Sequence, residues 1–151
     1  MEETNFTYVI KQMELALRPY IEGACAAAGM TAAQYTALTV LERRPGITSS
    51  ELARRSFVRA QTMAQTMDPL LEAGLVRRER DPSHARRLLL YLTETGSTAV
   101  ANARPYVAEL ESLILTGFSA EETVAFAGYL RRARHSLRES SVRLGRQKST
   151  A

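Results

Sequence analysis

Lysine is almost missing from this chain, cysteine occurs once, and no stretch stays apolar for long. Each shortage removes a class of protein. The lone Cys25 has no partner for an internal disulfide and suits a reducing compartment. No apolar run approaches the roughly 18 to 20 residues that a membrane span requires. The opening Met1-Glu2-Glu3 is acidic where a secretory signal would be basic. Cys25, His84 and His135 lie far apart in sequence, so no metal-ligand spacing is formed, and the chain has neither a phosphate-binding glycine loop nor a G-x-S-x-G elbow. These absences predict a cytoplasmic protein with no catalytic residue, no metal, no cofactor and no membrane partner.

What is present is ordinary globular material: 151 residues, 45% of them hydrophobic, with five prolines. That is enough for one real core and too little for two full domains. The charge is less ordinary. Between Arg43 and Arg87 ten arginines stand against five acids, while the rest of the chain has ten basic residues against eleven acids. The whole excess of +4 thus comes from the middle third, as expected for a local anionic partner. Apart from Lys11 and Lys148 the bases are arginine, whose fork suits phosphate and guanine. A GC-rich genome would also favour arginine, but it would not cluster it.

Three apolar ladders flank this basic middle. Phe6, Ile10, Met13, Leu17, Tyr20 and Ala24 form the first, and Val100, Ala103, Val107, Leu110 and Ile114 the second. The third, Phe126, Leu130, Ala133 and Leu137, is entered through "SAEE", with Ser119 and Glu122 spaced as a capping box. Steps of three and four predict helices packed along a seam, within one chain or between two. Between the ladders, "TAAQYTALTVLERRPG" predicts a helix capped by Thr31 with Tyr35, Leu38 and Leu41 inward, stopped by Pro45-Gly46. "TSSELARRS" predicts a short helix capped by Ser49 or Ser50, with Arg54 and Arg55 outward. A turn at Phe57-Val58 leads to a longer helix over Arg59 to Ala73. The period then drops to two: "LVRRER" and "RRLLLYLT" predict a hairpin whose turn opens at Asp81-Pro82. Short helix, turn, longer helix and hairpin make a winged helix-turn-helix. The expected fold is mainly α with a small β-hairpin wing, flanked by N- and C-terminal dimerisation helices.

The longer helix shows what the arrangement is for. Val58, Met63, Met67, Leu70 and Leu71 make its inner stripe, leaving Gln61, Thr62 and Gln65 on the opposite face, with Thr66 beside them. In a major groove a glutamine amide pairs bidentately with adenine, and threonine bonds base edges or touches a thymine methyl. Amides and hydroxyls report base identity, whereas arginine gives sequence-blind phosphate affinity. Gln61, Thr62, Gln65 and Thr66 are therefore expected to read double-stranded DNA. Ser49, Arg54, Arg55 and Arg59 are expected to hold its backbone, and Arg86 and Arg87 to reach it from the wing. Pro69 interrupts the helix, with a kink there expected in preference to an end near Thr66.

From Ser49 to Gly96 the residues resemble the MarR family of bacterial winged-helix regulators, on "SELARRS" and "QTMAQTMDPLLEAGLVRRERDPSHARRLLLYLTETG". "GLV", "RDP", a basic wing tip and the closing "LTETG" stand at the family's spacings, and the flanking helices agree in order and length. The resemblance implies a homodimer that binds a palindromic operator, usually as a repressor, and that a small ligand or oxidant releases. It also places Arg86 on the usual wing-tip arginine, and Gln65 where an arginine that contacts base or phosphate is common. His84 and Ala85 replace an acidic and a polar residue at the tip, and Pro69 replaces an arginine. One domain is expected over 1–144, with dimerisation helices about 5–28 and 96–144, a winged helix-turn-helix about 31–95, and a frayed basic tail over 145–151. For a small-molecule effector, Tyr20, Cys25, Tyr35 and Phe57 are candidate pocket linings, each also explicable as core. Two alternatives stand beside this reading: a winged-helix protein-interaction module that does not bind DNA, and a thiol-based redox-sensing repressor using Cys25. The peroxide sensors of the family carry their cysteine near the start of the first helix, whereas Cys25 is near the end, among alanines.

Overall fold

A computed structural model describes residues 5–148, with side chains described for 5–140. Among them are six helices and one two-stranded antiparallel sheet, in the order α1 (Phe6–Ala27), α2 (Ala32–Arg43), α3 (Ser49–Arg55), α4 (Ala60–Glu72), β1 (Val76–Asp81), β2 (His84–Leu92), α5 (Glu94–Ile114) and α6 (Ala120–Lys148). No helix among the described residues is long and apolar enough to cross a membrane. The chain divides into two compact units, Met1–Glu111 and Ser112–Ala151, described here separately.

In the first unit, side-chain caps decide where helices begin. Asn5 accepts from the Tyr8 N–H at 3.0 Å. Thr31 caps α2 as the sequence predicts, and Gln34 completes a reciprocal capping box with it, at 3.1 and 2.9 Å. On α3 the cap is Thr48, which accepts from the Glu51 N–H at 3.2 Å, and not Ser49 or Ser50. The cause is long-range. Ile47 bridges Leu90 through Gly46 N–H to Leu90 C=O at 2.9 Å and Leu90 N–H to Ile47 C=O at 2.8 Å. The chain is thus held extended up to Thr48, and Ser49 and Ser50 become the first helical residues. Gly46 is required at this bridge, because its φ is +75° and a Cβ would meet the Tyr91 hydroxyl at 2.8 Å.

The core gathers Leu38 and Leu41 from α2, Leu52 from α3, Met63, Met67 and Leu70 from α4, Val76 and Leu90 from the sheet, and Val100 and Ala103 from α5. The predicted stripe of α4 is therefore the buried one. "LTETG" is the junction that closes this core. The Thr93 hydroxyl donates to the Gly74 carbonyl at 2.6 Å and accepts from the Gly96 N–H at 3.0 Å, while the Thr93 N–H reaches the Leu75 carbonyl at 3.1 Å. Any Cβ on Gly96 would lie 2.0 Å from the Leu75 oxygen. Glu42 and Arg104 add an ion pair between α2 and α5.

The first ladder behaves differently. Of α1 only Cys25 is fully buried, whereas Phe6, Met13 and Tyr20 are exposed and Ile10 is 61% exposed.

In the second unit, the predicted box opens α6: Ser119 N–H to Glu122 Oε2 at 2.8 Å and Glu122 N–H to Ser119 Oγ at 3.1 Å. Phe118 meets Phe126 edge to face at 5.4 Å. Leu130 and Leu137 of the third ladder are exposed. The helix continues through 145–148, where a frayed tail was expected; Gly145, its weakest residue, costs only about 1 kcal/mol relative to alanine. Residues 149–151 of that expected tail lie outside the described residues.

Candidate nucleic-acid interface

The turn between α3 and α4 is tight. Ser56 N–H donates to the Leu52 carbonyl at 3.0 Å and Val58 N–H to the Ala53 carbonyl at 3.1 Å. Phe57 between them takes a left-handed φ of +56°, the sole non-glycine among the described residues to do so, and its ring is 57% exposed. Half-buried Val58 anchors the turn, and Arg59 is the N-cap of α4, extended and without a side-chain capping bond.

Gln61, Thr62 and Gln65 project from α4 into solvent, and their side chains make no hydrogen bond among the described residues. Thr66 is turned back: half-buried, its hydroxyl donates to the Thr62 carbonyl at 2.9 Å. The helix runs through Pro69 to Glu72, so it does not end near Thr66. The Gln65 carbonyl, which proline deprives of its donor, belongs to an exposed residue that water can reach.

The arginines divide into free and engaged. Arg59 and Arg86 are exposed and unpaired among the described residues. Arg54 and Arg55 both bind Glu51, Arg55 Nε at 2.7 Å. Partial burial pushes the Glu51 carboxyl up, but the charges and hydrogen bonds of the two arginines outweigh it and hold it below its ordinary value. Arg87 lies 3.8 Å from Asp81. Asp81 also shapes the turn, accepting from Ser83 N–H at 2.9 Å and Ser83 Oγ at 2.7 Å; those bonds lower its pKa. The ladder slips between Arg80, opposite Leu88, and Asp81, opposite His84, so Ala85, Arg86 and Arg87 have no partner in the strand register. The wing tip is therefore an irregular bulge that presents two arginines, where a plain hairpin was expected.

Three wing arginines escaped the sequence reading. Arg77 is structural: it pairs with Glu79 and lies 4.6 Å above the Tyr91 ring. Arg78 and Arg80, two apart on β1, are exposed and unpaired among the described residues, and are further candidates for phosphate contact. Their alternation in "RRER" was the available signal.

An open cleft of about 820 Å³ separates residues 46–51 from the wing, with Ser49 on one wall and Arg86 and Arg87 on the other. The four candidate effector residues line neither this cleft nor a second of about 400 Å³ beside Glu42 and Tyr91. Cys25 is buried and Tyr35 half-buried, and burial raises the pKa of the Tyr35 phenol, whereas Tyr20 and Phe57 are mostly exposed, on α1 and in the helix-turn-helix turn. Burial raises the Cys25 pKa, which disfavours the thiolate a redox sensor would need. Among the described residues no group of three or more His, Cys, Asp or Glu side chains could hold a metal.

A short helix, a tight turn, a helix with a bare polar face and a basic wing define a winged helix-turn-helix protein built to meet duplex DNA. The comparisons with known proteins agree. A family model described as "MarR family" matches residues 28–87. The transcriptional regulator HosA of Escherichia coli is 30% identical over 103 residues, covering 68% of this chain and 76% of HosA. The transcriptional repressor Rv2887 of Mycobacterium tuberculosis is 29% identical over 125 residues, covering 83% and 90%. Its structure in complex with salicylic acid has 27% identity and a TM-score of 0.71 over 87% of this chain and 98% of that one. The transcriptional repressor CouR, solved on a 23-mer DNA duplex, gives 25% identity and a TM-score of 0.76 over 85% and 92%. The chain belongs to the MarR family, and is a DNA-binding transcriptional regulator.

Proposed function

We propose that this protein is a cytoplasmic repressor that binds a palindromic operator as a homodimer and leaves it when a small aromatic acid binds. Each α4 enters a major groove, where Gln61, Thr62 and Gln65 read bases. Arg59 holds the backbone beside them, with Ser49 across the cleft, and Arg86 and Arg87 extend the grip from the wing. The observation that carries this reading is an exposed face of α4 whose amides have no partner among the described residues, in a segment whose Arg59 and Arg86 are unpaired there too. Arg54 and Arg55 join the grip only after leaving Glu51. Thr66 supports the helix more than it reads. The terminal helices, about 5–28 and 96–144, form the dimer body, and their exposed apolar residues support that role.

The repressor named above that was solved on DNA, and the one solved with salicylic acid, support both ligands. An effector must favour the arrangement that cannot bind DNA; a swing from 99:1 to 1:99 requires about 5.5 kcal/mol of differential affinity. The test is selection from a random duplex pool, followed by footprinting with and without salicylate. The expected result is two half-sites roughly 10 bp apart, centre to centre, and release by the acid. Failure to bind any duplex in dilute buffer would overturn the proposal.

A further inference from the structure

One acidic side chain stands where DNA binding calls for bases. Among the described residues Glu51 is the only acid lining the cleft between α3 and the wing, opposite Arg86 and Arg87. Its side chain is only 23% exposed, and both carboxylate oxygens are taken, Oε2 by Arg54 and Oε1 by Arg55. The spacings of three and four along α3 set this clasp, since those positions share a helix face. A phosphate brought to the cleft meets a carboxylate, and two arginines beside it are already satisfied.

We infer that Glu51 is a specificity-determining residue that withholds Arg54 and Arg55 from DNA of the wrong sequence. The inference rests on the DNA-binding reading above. On unmatched DNA the protein meets only phosphates, and trading the Glu51 carboxylate for a phosphate exchanges one anion for another. On matched DNA the contacts of Gln61, Thr62 and Gln65 already fix the backbone against α3. Each arginine then closes on an oriented phosphate, where its fork bonds well. Glu51 thus lowers sequence-blind affinity more than it lowers operator affinity.

The experiment compares a random-sequence duplex with one selected by the native protein, across a salt series. Glu51→Gln is expected to bind the random duplex about three- to tenfold more tightly at low salt, with a log–log salt slope steeper by about one for each arginine released. Its affinity for the selected duplex changes less, so discrimination narrows. Glu51→Asp keeps the charge and should stay near native on both duplexes. A Glu51→Gln protein that melts like the native one yet binds random DNA no more tightly overturns the inference. If that variant is unstable, Glu51→Gln combined with Arg54→Gln and Arg55→Gln probes the same point without stranding a charge: affinity should fall more on the selected duplex than on the random one. Equal loss on both overturns it. Native protein that ignores every duplex removes the DNA reading and this inference together, whereas native discrimination left unchanged by Glu51→Gln removes this inference alone.

Discussion

Leu41 and Ile10 are both aliphatic residues on the apolar stripe of a helix, yet Leu41 is fully buried and Ile10 is mostly exposed. The contrast extends to their surroundings. Around Leu41, five helices and both strands bring side chains into one core. Around Ile10, Phe6, Met13 and Tyr20 of the same ladder are exposed as well. A helical period shows that a residue belongs on an apolar face, but it does not show whose surface will cover that face. The winged middle is covered within the chain, with Cys25 of α1 and Val100 and Ala103 of α5 closing its core, whereas the outer ladder of α1 stays exposed.

Mutations at the two sites should therefore fail in different ways. Leu41→Ala is expected to cost about 2–5 kcal/mol of folding stability, measured by denaturant melts, at any protein concentration. A smaller loss would mean that the core can collapse around the gap. Ile10→Asp should leave the fold near native and weaken the proposed dimer by about 2 kcal/mol or more, read by sedimentation across a dilution series. An unchanged association constant would take the α1 ladder out of the interface. In the DNA-facing region the effects become smaller and more selective. Gln65→Ala should reduce discrimination between selected and random duplex by about 1–3 kcal/mol; equal loss on both would show that it reads nothing. Arg86→Ala should weaken binding to every sequence and flatten the salt slope by about one unit, so an unchanged slope would exclude the wing. The smallest change should be a gain: Phe57→Gly relieves a left-handed backbone and should stabilise the fold by about 0.5–1 kcal/mol in a thermal melt. A loss would show that the exposed ring contributes to packing.

Much of the fold was legible because local chemistry and long-range packing agree. Thr31, and Ser119 with Glu122, announced helix starts that the structure has, and the change of period after Gly74 announced the strands. Where a distant partner decides, the sequence was a poorer guide. Ser49 and Ser50 were the expected caps of α3, and the Ile47–Leu90 bridge places Thr48 there instead. In the candidate interface the reading face stood out, because three uncharged polar residues interrupt a basic stretch. The clasp of Glu51 was open to notice in its spacing to Arg54 and Arg55, but an arginine seen as net charge looks free until its partner is located. Tyr20 and Phe57 drew attention as aromatics, and composition says nothing of the exposed positions they occupy.

The junction at Thr93 and Gly96 has a mechanical consequence. Hydrogen bonds to Gly74 and Leu75, and a spacing too narrow for one methyl group, weld the start of α5 to the loop that leaves α4. With no slack in that joint, a tilt at the start of α5 is passed on whole to the end of α4, and so to the exposed face that carries Gln61 and Gln65.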